Sequence, residues 1–337
     1  MLQWAFGRSF DPSKDIPTLA GKVVLVTGGN AGLGKETVLQ LAKHEPKEIF
    51  LAARTRSKAE AAIAEIKVAI PKVNITFLEL ELSSFASVKQ AAKDFQARSD
   101  RLDILINNAG VAALSYSTTT DGFEIQFGTN HMGHALLTQL LLPTLLETAE
   151  LPDADVRVIN VSSKGHMFAP PSGIVYEQAA LEKLEPLGRY GHSKLANILH
   201  ARELQRRHPS ITATAVHPGG KIVRIDYRGR YLWLMLFATV IITDIYETYS
   251  KTSLAMRYLA PVVKAVASYG ILPDVYDVAG GALTQLWAAT ASREKVRSNY
   301  YWTPVGVKNA GTKFAQDADL AAQLWEWTTK EIARRAL

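Results

Sequence analysis

The sequence predicts an α/β domain built on a doubly wound, mainly parallel sheet, and three observations carry that prediction. Short β-branched apolar runs alternate with helical patterns as far as Val216. The first run breaks directly into a glycine-rich turn that opens a helix. The later runs end in small or polar residues, and the carboxyl ends of strands are where an open α/β sheet binds its ligands. Regular strand-helix alternation implies right-handed crossovers and therefore parallel strands.

Residues 1–20 read as an irregular lead-in containing Gly7, Pro12 and Pro17. Lys22 to Thr27 is the first buried strand by length and flanks. Gly28-Gly29-Asn30-Ala31-Gly32-Leu33-Gly34 follows, and a helix over Lys35–His44 comes next. Glycines let the backbone turn tightly and approach a pyrophosphate, while the helix N-terminus offers free N–H groups and a positive dipole end. The second strand, Glu48–Ala53, ends where dinucleotides are told apart. A carboxylate there holds the ribose 2′-hydroxyl of NAD, and a basic group accommodates the 2′-phosphate of NADP. Here Arg54 is followed by Thr55-Arg56-Ser57-Lys58, with no carboxylate before Glu60, and Lys35 lies one step past the turn. The cofactor expected is NADP(H).

A helix over Ser57–Ile70 and a third strand over Asn74–Leu80 follow, with Glu81 and Leu82 at the expected adenine edge. The fourth strand, Leu102–Ile106, ends in Asn107-Asn108-Ala109-Gly110, small residues that let the backbone pack under a cofactor ribose. Phe123–Glu150 reads as one long helical region kinked near Pro143. Asn130 lies inside it and is a poor helix former, so it calls for a local kink or a buried polar relay. His131 and His134 lack a third ligand at supporting spacing and are read as core or interface residues rather than a zinc pair. The fifth strand, Val156–Val161, ends in Ser162-Ser163. Without a G-x-S-x-G elbow the serine is a hydrogen-bonding group rather than a nucleophile.

After an irregular link over 167–188, a helix opens at Tyr190 and runs to about Arg207. Tyr190 and Lys194 are four apart and share a face. A phenol titrates near ~10 by itself. A neighbouring cation lowers that value, and a phenol so tuned exchanges protons with an alcohol or carbonyl oxygen. The sixth strand, Ile211–Val216, ends in His217-Pro218-Gly219-Gly220. Beyond it, Tyr231–Ile242 is nearly all apolar and follows Lys221, Arg224, Arg228 and Arg230. Twelve residues are too few to span a bilayer. The stretch is either a buried lid over a greasy pocket or a peripheral membrane contact, and both predict a lipophilic substrate. A helix over Val278–Ala291, a seventh strand at Tyr300–Trp302 and an amphipathic helix over Asp317–Ala333 complete the pattern.

Composition excludes several classes. The 337 residues are 47% hydrophobic and 21% charged, ordinary for a globular chain. The net charge of +6 is scattered rather than gathered into a stripe, which argues against nucleic acid. The absence of cysteine removes disulfides, thiolate catalysis and Cys-ligated zinc. The first 20 residues lack a secretory apolar run, so the expected location is cytoplasmic, with membrane contact confined to 231–242.

Taken together, T-G-x-x-x-G-x-G at Thr27–Gly34, N-N-A-G at 107–110, Asn130, Ser163 and Y-x-x-x-K at 190–194 resemble the short-chain dehydrogenase/reductase family over about residues 18–220. The wording of Asn130–His134, Tyr190–Asn197 and His217-Pro218-Gly219 is similar to its retinol-dehydrogenase-like branch, and the tail at Leu324-Trp325-Glu326-Trp327 to fungal members. The resemblance implies a Rossmann-type sheet of seven strands, order 3-2-1-4-5-6-7, with helices on both faces. It implies a single domain over 1–337, with a cofactor-binding and catalytic core at 18–220, a substrate lid at 221–277 and a C-terminal strand and helices at 278–337. Tyr190 would be the proton donor or acceptor, and Lys194 would lower its pKa and bind the nicotinamide ribose. Ser163 would hold the substrate oxygen, and Asn130 a relay water. Gly28, Asn30, Gly32, Leu33, Gly34, Asn108, Ala109, Gly110, Pro218, Gly219 and Val223 would contact the cofactor. The implied reaction interconverts an alcohol and a carbonyl on a small lipophilic substrate, and the implied assembly is compatible with a homodimer. Two rivals stand beside it: an inactive NADP(H)-binding sensor or scaffold, and a sugar epimerase or dehydratase, whose turn would read T-G-x-x-G-x-x-G. Three departures are visible. The interval from Ser163 to Tyr190 is long, Glu81 stands where Asp is usual, and Ile225 occupies the place of a threonine that holds the nicotinamide carboxamide.

Overall fold

A computed structural model describes residues 10–221 and 275–335. Val223, Ile225 and the apolar stretch 231–242 lie outside the described residues. Among the described residues the main sheet has eight strands, beside a short parallel pair at Gly220–Lys221 and Val275–Tyr276: β1 (Val23–Thr27), β2 (Glu48–Ala53), β3 (Ile75–Glu79), β4 (Ile104–Asn107), β5 (Arg157–Val161), β6 (Thr212–Val216), β7 (Tyr301–Thr303) and β8 (Val307–Lys308). In these labels the order is 3-2-1-4-5-6-7-8. Strands β1 to β7 are parallel, as expected, and the added edge strand β8 runs antiparallel to β7. It was not anticipated, because two residues carry no periodicity to read.

Alternation along each strand divides the core into two layers. Val23 and Leu25 point to one face, with Phe50, Leu105 and Val158. Val24 and Val26 point to the other, with Ile49, Leu51, Ile106 and Ile159. Helices α3 (Phe85–Gln96), α4 (Gly133–Ala149), α5 (Pro186–Arg207) and α7 (Ala318–Arg335) cover the first face. Helices α1 (Gly32–Ala42), α2 (Arg56–Ala69) and α6 (Val278–Thr290) cover the second. All five residues of β1 and of β5 are buried, as expected of strands covered on both faces. Truncating a side chain as large and fully buried as Phe50 to alanine would cost about 3–5 kcal/mol.

Three local differences from the sequence reading matter for the site. The long helical region is not uniform: a short α-turn at Ile125–Phe127 passes into a π-turn at Gly128–Met132 before α4 begins, and Pro143 sits inside α4. The link before α5 holds a 3-10 turn at Lys164–Phe168 and a short helix at Gln178–Glu182. Helix α5 starts at Pro186, a residue preorganised for the first helical position, so Tyr190 lies one turn inside it.

Candidate active site

The site is assembled at the carboxyl ends of β1, β4 and β5. Thr27 closes β1, and Gly28 turns the chain with φ +67°. At Gly34 a Cβ would stand 2.2 Å from the Gly28 carbonyl oxygen, so no side chain fits there. Helix α1 begins at Gly32, and its N-cap Ala31 offers no capping side chain. Among the described residues the first N–H groups of α1 therefore have no capping side chain or intrahelical acceptor, the arrangement that suits an anionic ligand. A cleft opens over this turn. It is lined by Gly28, Asn30, Ala31, Leu33 and Gly34 on one side, Asn108 to Ala112 on another, and Val161, Tyr190 and Lys194 below. Uncapped amides, a turn with no room for a side chain at Gly34 and a small-residue floor fit a dinucleotide.

The floor is held by partly buried hydrogen bonds. Asn108 donates from its amide group to the Thr27 carbonyl at 2.8 Å, and the Asn108 and Ala109 backbone N–H groups donate to the Thr27 hydroxyl at 2.9 Å. From α6, Gln285 donates to Asn108 Oδ1 at 3.2 Å and also to the Thr37 hydroxyl of α1. Gln285 was missed by the sequence reading, since nothing in a helix over 278–291 says which residue meets a turn so far away in the chain.

Helix α5 presents Tyr190 and Lys194 to the same cleft, both at least 96% buried, at 3% and 4% exposure. Lys194 Nζ donates to the Val161 carbonyl at 2.9 Å and sits 5.7 Å from the Tyr190 ring centroid. Ser163 caps the 3-10 turn, accepting from the Gly165 N–H at 2.9 Å, and its hydroxyl shares a hydrogen bond with the Tyr190 phenol. Burial pushes the phenol up to about 12, opposed by the Ser163 bond. Burial also brings Lys194 down to about 8. Desolvation is the largest influence on both groups.

Asn130 sits in the π-turn with both ends of its amide engaged. Its Oδ1 accepts from the Val111 N–H at 2.8 Å, and its Nδ2 donates to the Val111 carbonyl at 2.8 Å and to Ser193 Oγ at 2.9 Å. This explains a polar residue inside a helical stretch: the side chain clips the cleft wall to α5. The wall is pinned again at Leu114, whose carbonyl accepts from Arg189 Nη2 at 3.0 Å; between the two, Ala113 has φ +53°. Arg189 faces Glu124 at 3.4 Å, and both are buried. His131 and His134 turn to separate partners, Thr328 for the first and Thr27 with Asn130 for the second.

Beyond the carboxyl end of β2 the basic residues are not alone. Arg54, 77% exposed, is 3.2 Å from Glu81, and Lys35 pairs with Glu65 of α2. Arg56 approaches Glu60 at 3.6 Å and Glu79 at 3.5 Å, while Lys58 is exposed in the first turn of α2. Glu81 Oε1 also accepts from the Ser83 hydroxyl at 2.8 Å. Leu82 is buried, with Gly133 packed against its carbonyl. Pro218 lies beside Gly281 of α6, and Gly219 has φ +90°. The pairing of Arg54 with Glu81 and of Lys35 with Glu65 escaped the sequence reading because each carboxylate sits on another element than its cation.

The family model of the short chain dehydrogenases matches residues 22–224. The chain belongs to this family. It is thereby an oxidoreductase of the class that interconverts alcohols and carbonyls with a nicotinamide cofactor and a small substrate. Among its relatives, the short-chain dehydrogenase/reductase drtF of Aspergillus calidoustus is 36% identical over 335 residues, covering 96% of this chain and 97% of the relative. Retinol dehydrogenase 12 of Mus musculus is 41% identical over 221 residues, covering 65% and 67%. The short-chain dehydrogenase fold is shared with the crystal structure of an uncharacterized protein from Mycobacterium paratuberculosis, which is 28% identical with a TM-score of 0.64 and covers 96% of this chain and 98% of that one. Fungal and retinol-dehydrogenase relatives together bear out the branch suggested by the motifs. No helix among the described residues is long and apolar enough to cross a membrane.

Proposed function

We propose that this protein is an NADP(H)-dependent reductase or dehydrogenase of a lipophilic carbonyl or alcohol, with Tyr190 exchanging the proton. The observation that supports the reading is that Tyr190 and Lys194 line one cleft with the Gly28–Gly34 turn. Hydride exchange with the carbonyl carbon is the chemistry the bound nicotinamide supplies. Tyr190, held as the neutral phenol by burial, carries a proton ready for the forming alkoxide in the reductive direction. Ser163, already bonded to that phenol, would share the substrate oxygen and stabilise its developing charge. Lys194, anchored on the Val161 carbonyl, would hold the ribose and contribute positive charge to the site. Asn130 would act by fixing the Val111 wall.

The preference for NADP(H) rests on Arg54, Arg56, Lys58 and Lys35 around the end of β2 and the start of α1. Arg54 and Lys35 carry carboxylate partners, so a 2′-phosphate would have to compete with Glu81 and Glu65. The single-domain reading, with 221–277 as a substrate lid, and the expected lipophilic substrate belong to the same proposal. So do a cytoplasmic location and membrane contact through 231–242. Paired titrations with NADPH and NADH test the cofactor. Tighter NADPH binding is expected, and tighter NADH binding would overturn the assignment. NADPH oxidation across aldehydes and ketones of graded chain length tests the substrate. Rates should rise with chain length, and activity confined to small polar carbonyls would refute the lipophilic reading.

A further inference from the structure

We infer that His134 is a positioning residue for the cofactor floor, fixing the Thr27 hydroxyl through a ring nitrogen that can only accept. The inference rests on reading the cleft as the cofactor site. His134 lies in the first turn of α4, outside the cleft lining, and is 4% exposed. Its Nδ1 is 3.0 Å from the Asn130 carbonyl oxygen. A carbonyl cannot donate, so Nδ1 must carry the proton. Burial brings the ring down to about 4, so it is neutral near pH 7 and Nε2 bears only a lone pair. Nε2 is 2.8 Å from the Thr27 hydroxyl, which must therefore donate to it; the competing Ile106 carbonyl lies farther, at 3.5 Å.

The consequence falls on the other side of Thr27. A hydroxyl has one hydrogen and two lone pairs. With its hydrogen committed to His134, both lone pairs face the N–H groups of Asn108 and Ala109, each 2.9 Å away. Those residues form the floor of the cleft, and Gly28 packs against Ala109, where an added Cβ would approach to 3.1 Å. The same ring holds the main chain of Asn130, whose side chain clips the cleft wall at Val111. One imidazole thus joins the glycine turn, the β4 turn and the π-turn through bonds with fixed donor and acceptor roles. Had a leucine occupied the position, the Thr27 hydroxyl would have only the longer Ile106 bond for its hydrogen.

The test uses the full chain and reads NADPH binding, cofactor KM, kcat and thermal unfolding together. His134→Asn keeps a donor at the Nδ1 place and removes the acceptor. His134→Gln puts an amide oxygen at the Nε2 place. The Asn variant should raise the cofactor Kd and KM about fivefold with kcat at saturating cofactor nearly retained, and the Gln variant should bind within about twofold of wild type. Thr27→Val should weaken binding as the Asn variant does, and adding His134→Asn to it should cost nothing more. Wild-type binding by folded His134→Asn, or losses that add in the double variant, would overturn the inference. If His134→Asn does not fold, the Gln variant decides: a folded Gln variant that binds more than about tenfold weaker refutes it. A wild-type chain that binds neither NADPH nor NADH would overturn the cofactor reading and this inference with it; a wild-type chain that binds, beside an unaffected Asn variant, would overturn this inference alone.

Discussion

At the scale of single residues, environment decides more than identity does. Tyr190 and Lys194 were legible in the sequence because spacing on one helix fixes their common face. Their protonation was not legible, because it is set by burial: a phenol near 12 and an ammonium near 8, each penalised as a charge. The basic residues past β2 and at the start of α1 show the same limit. Arg54 and Lys35 could be named from their distance past β2 and the turn, whereas Glu81 and Glu65 reach them from β3's end and α2. Removing those carboxylate charges should release the cations to a 2′-phosphate. Glu81→Gln and Glu65→Gln are each predicted to tighten NADPH about two- to fivefold, the scale of an exposed pair, and to leave NADH unchanged. Isothermal titration of each variant checks this, and an equal gain for both cofactors would dissociate the pairs from 2′-phosphate recognition.

At the scale of elements, the strands and their order followed from apolar runs and alternation, but the joints did not. The π-turn at Gly128–Met132 has no periodicity of its own; only the misplaced Asn130 hinted at it. The wall from Val111 to Leu114 is secured by Asn130 at one end and Arg189 at the other, and that second fastening depends on a buried ion pair with Glu124. Burial raises the Glu124 carboxyl, against opposing influences that include Arg189. Breaking such a pair from one side strands a buried charge, so Arg189→Met is predicted to cost about 3–5 kcal/mol of stability in urea unfolding. Arg189→Met with Glu124→Gln should recover part of that loss. A single variant as stable as wild type would show that the pair is not what holds the wall.

At the scale of the whole molecule, the back of the catalytic layer is closed by α7. His131 bonds Thr328 at 3.1 Å, the His200 ring stacks on Trp325 at 5.1 Å, and Trp327 packs on Phe127 and Tyr176. The sequence marked α7 as an amphipathic helix, but it could not say that α7 would lie against a histidine of the π-turn and another of α5. His131, His134, His192, His200 and His217 are all buried and all lowered from 6.5 by that burial, His134 and His200 to about 4 and His192 and His217 to about 3. Unfolding frees each ring to take a proton below pH 6.5. Their contribution to stability is therefore complete above 6.5 and is lost as pH falls towards the folded values, at about 1.4 kcal/mol per histidine for each pH unit. Unfolding free energy measured between pH 6.5 and 5 should fall steeply. A flat profile across that window would show that the rings are not held neutral.

The central claim is that Tyr190, beside Lys194 and over the glycine turn, exchanges the proton of a nicotinamide-dependent carbonyl–alcohol reaction. The most direct measurement is single-turnover NADPH oxidation by wild type and Tyr190→Phe with one lipophilic aldehyde, cofactor binding being measured in both. The account predicts a loss of about 10²–10⁴-fold in the chemical step with NADPH still bound within a few-fold. Turnover by Tyr190→Phe at the wild-type rate would contradict it.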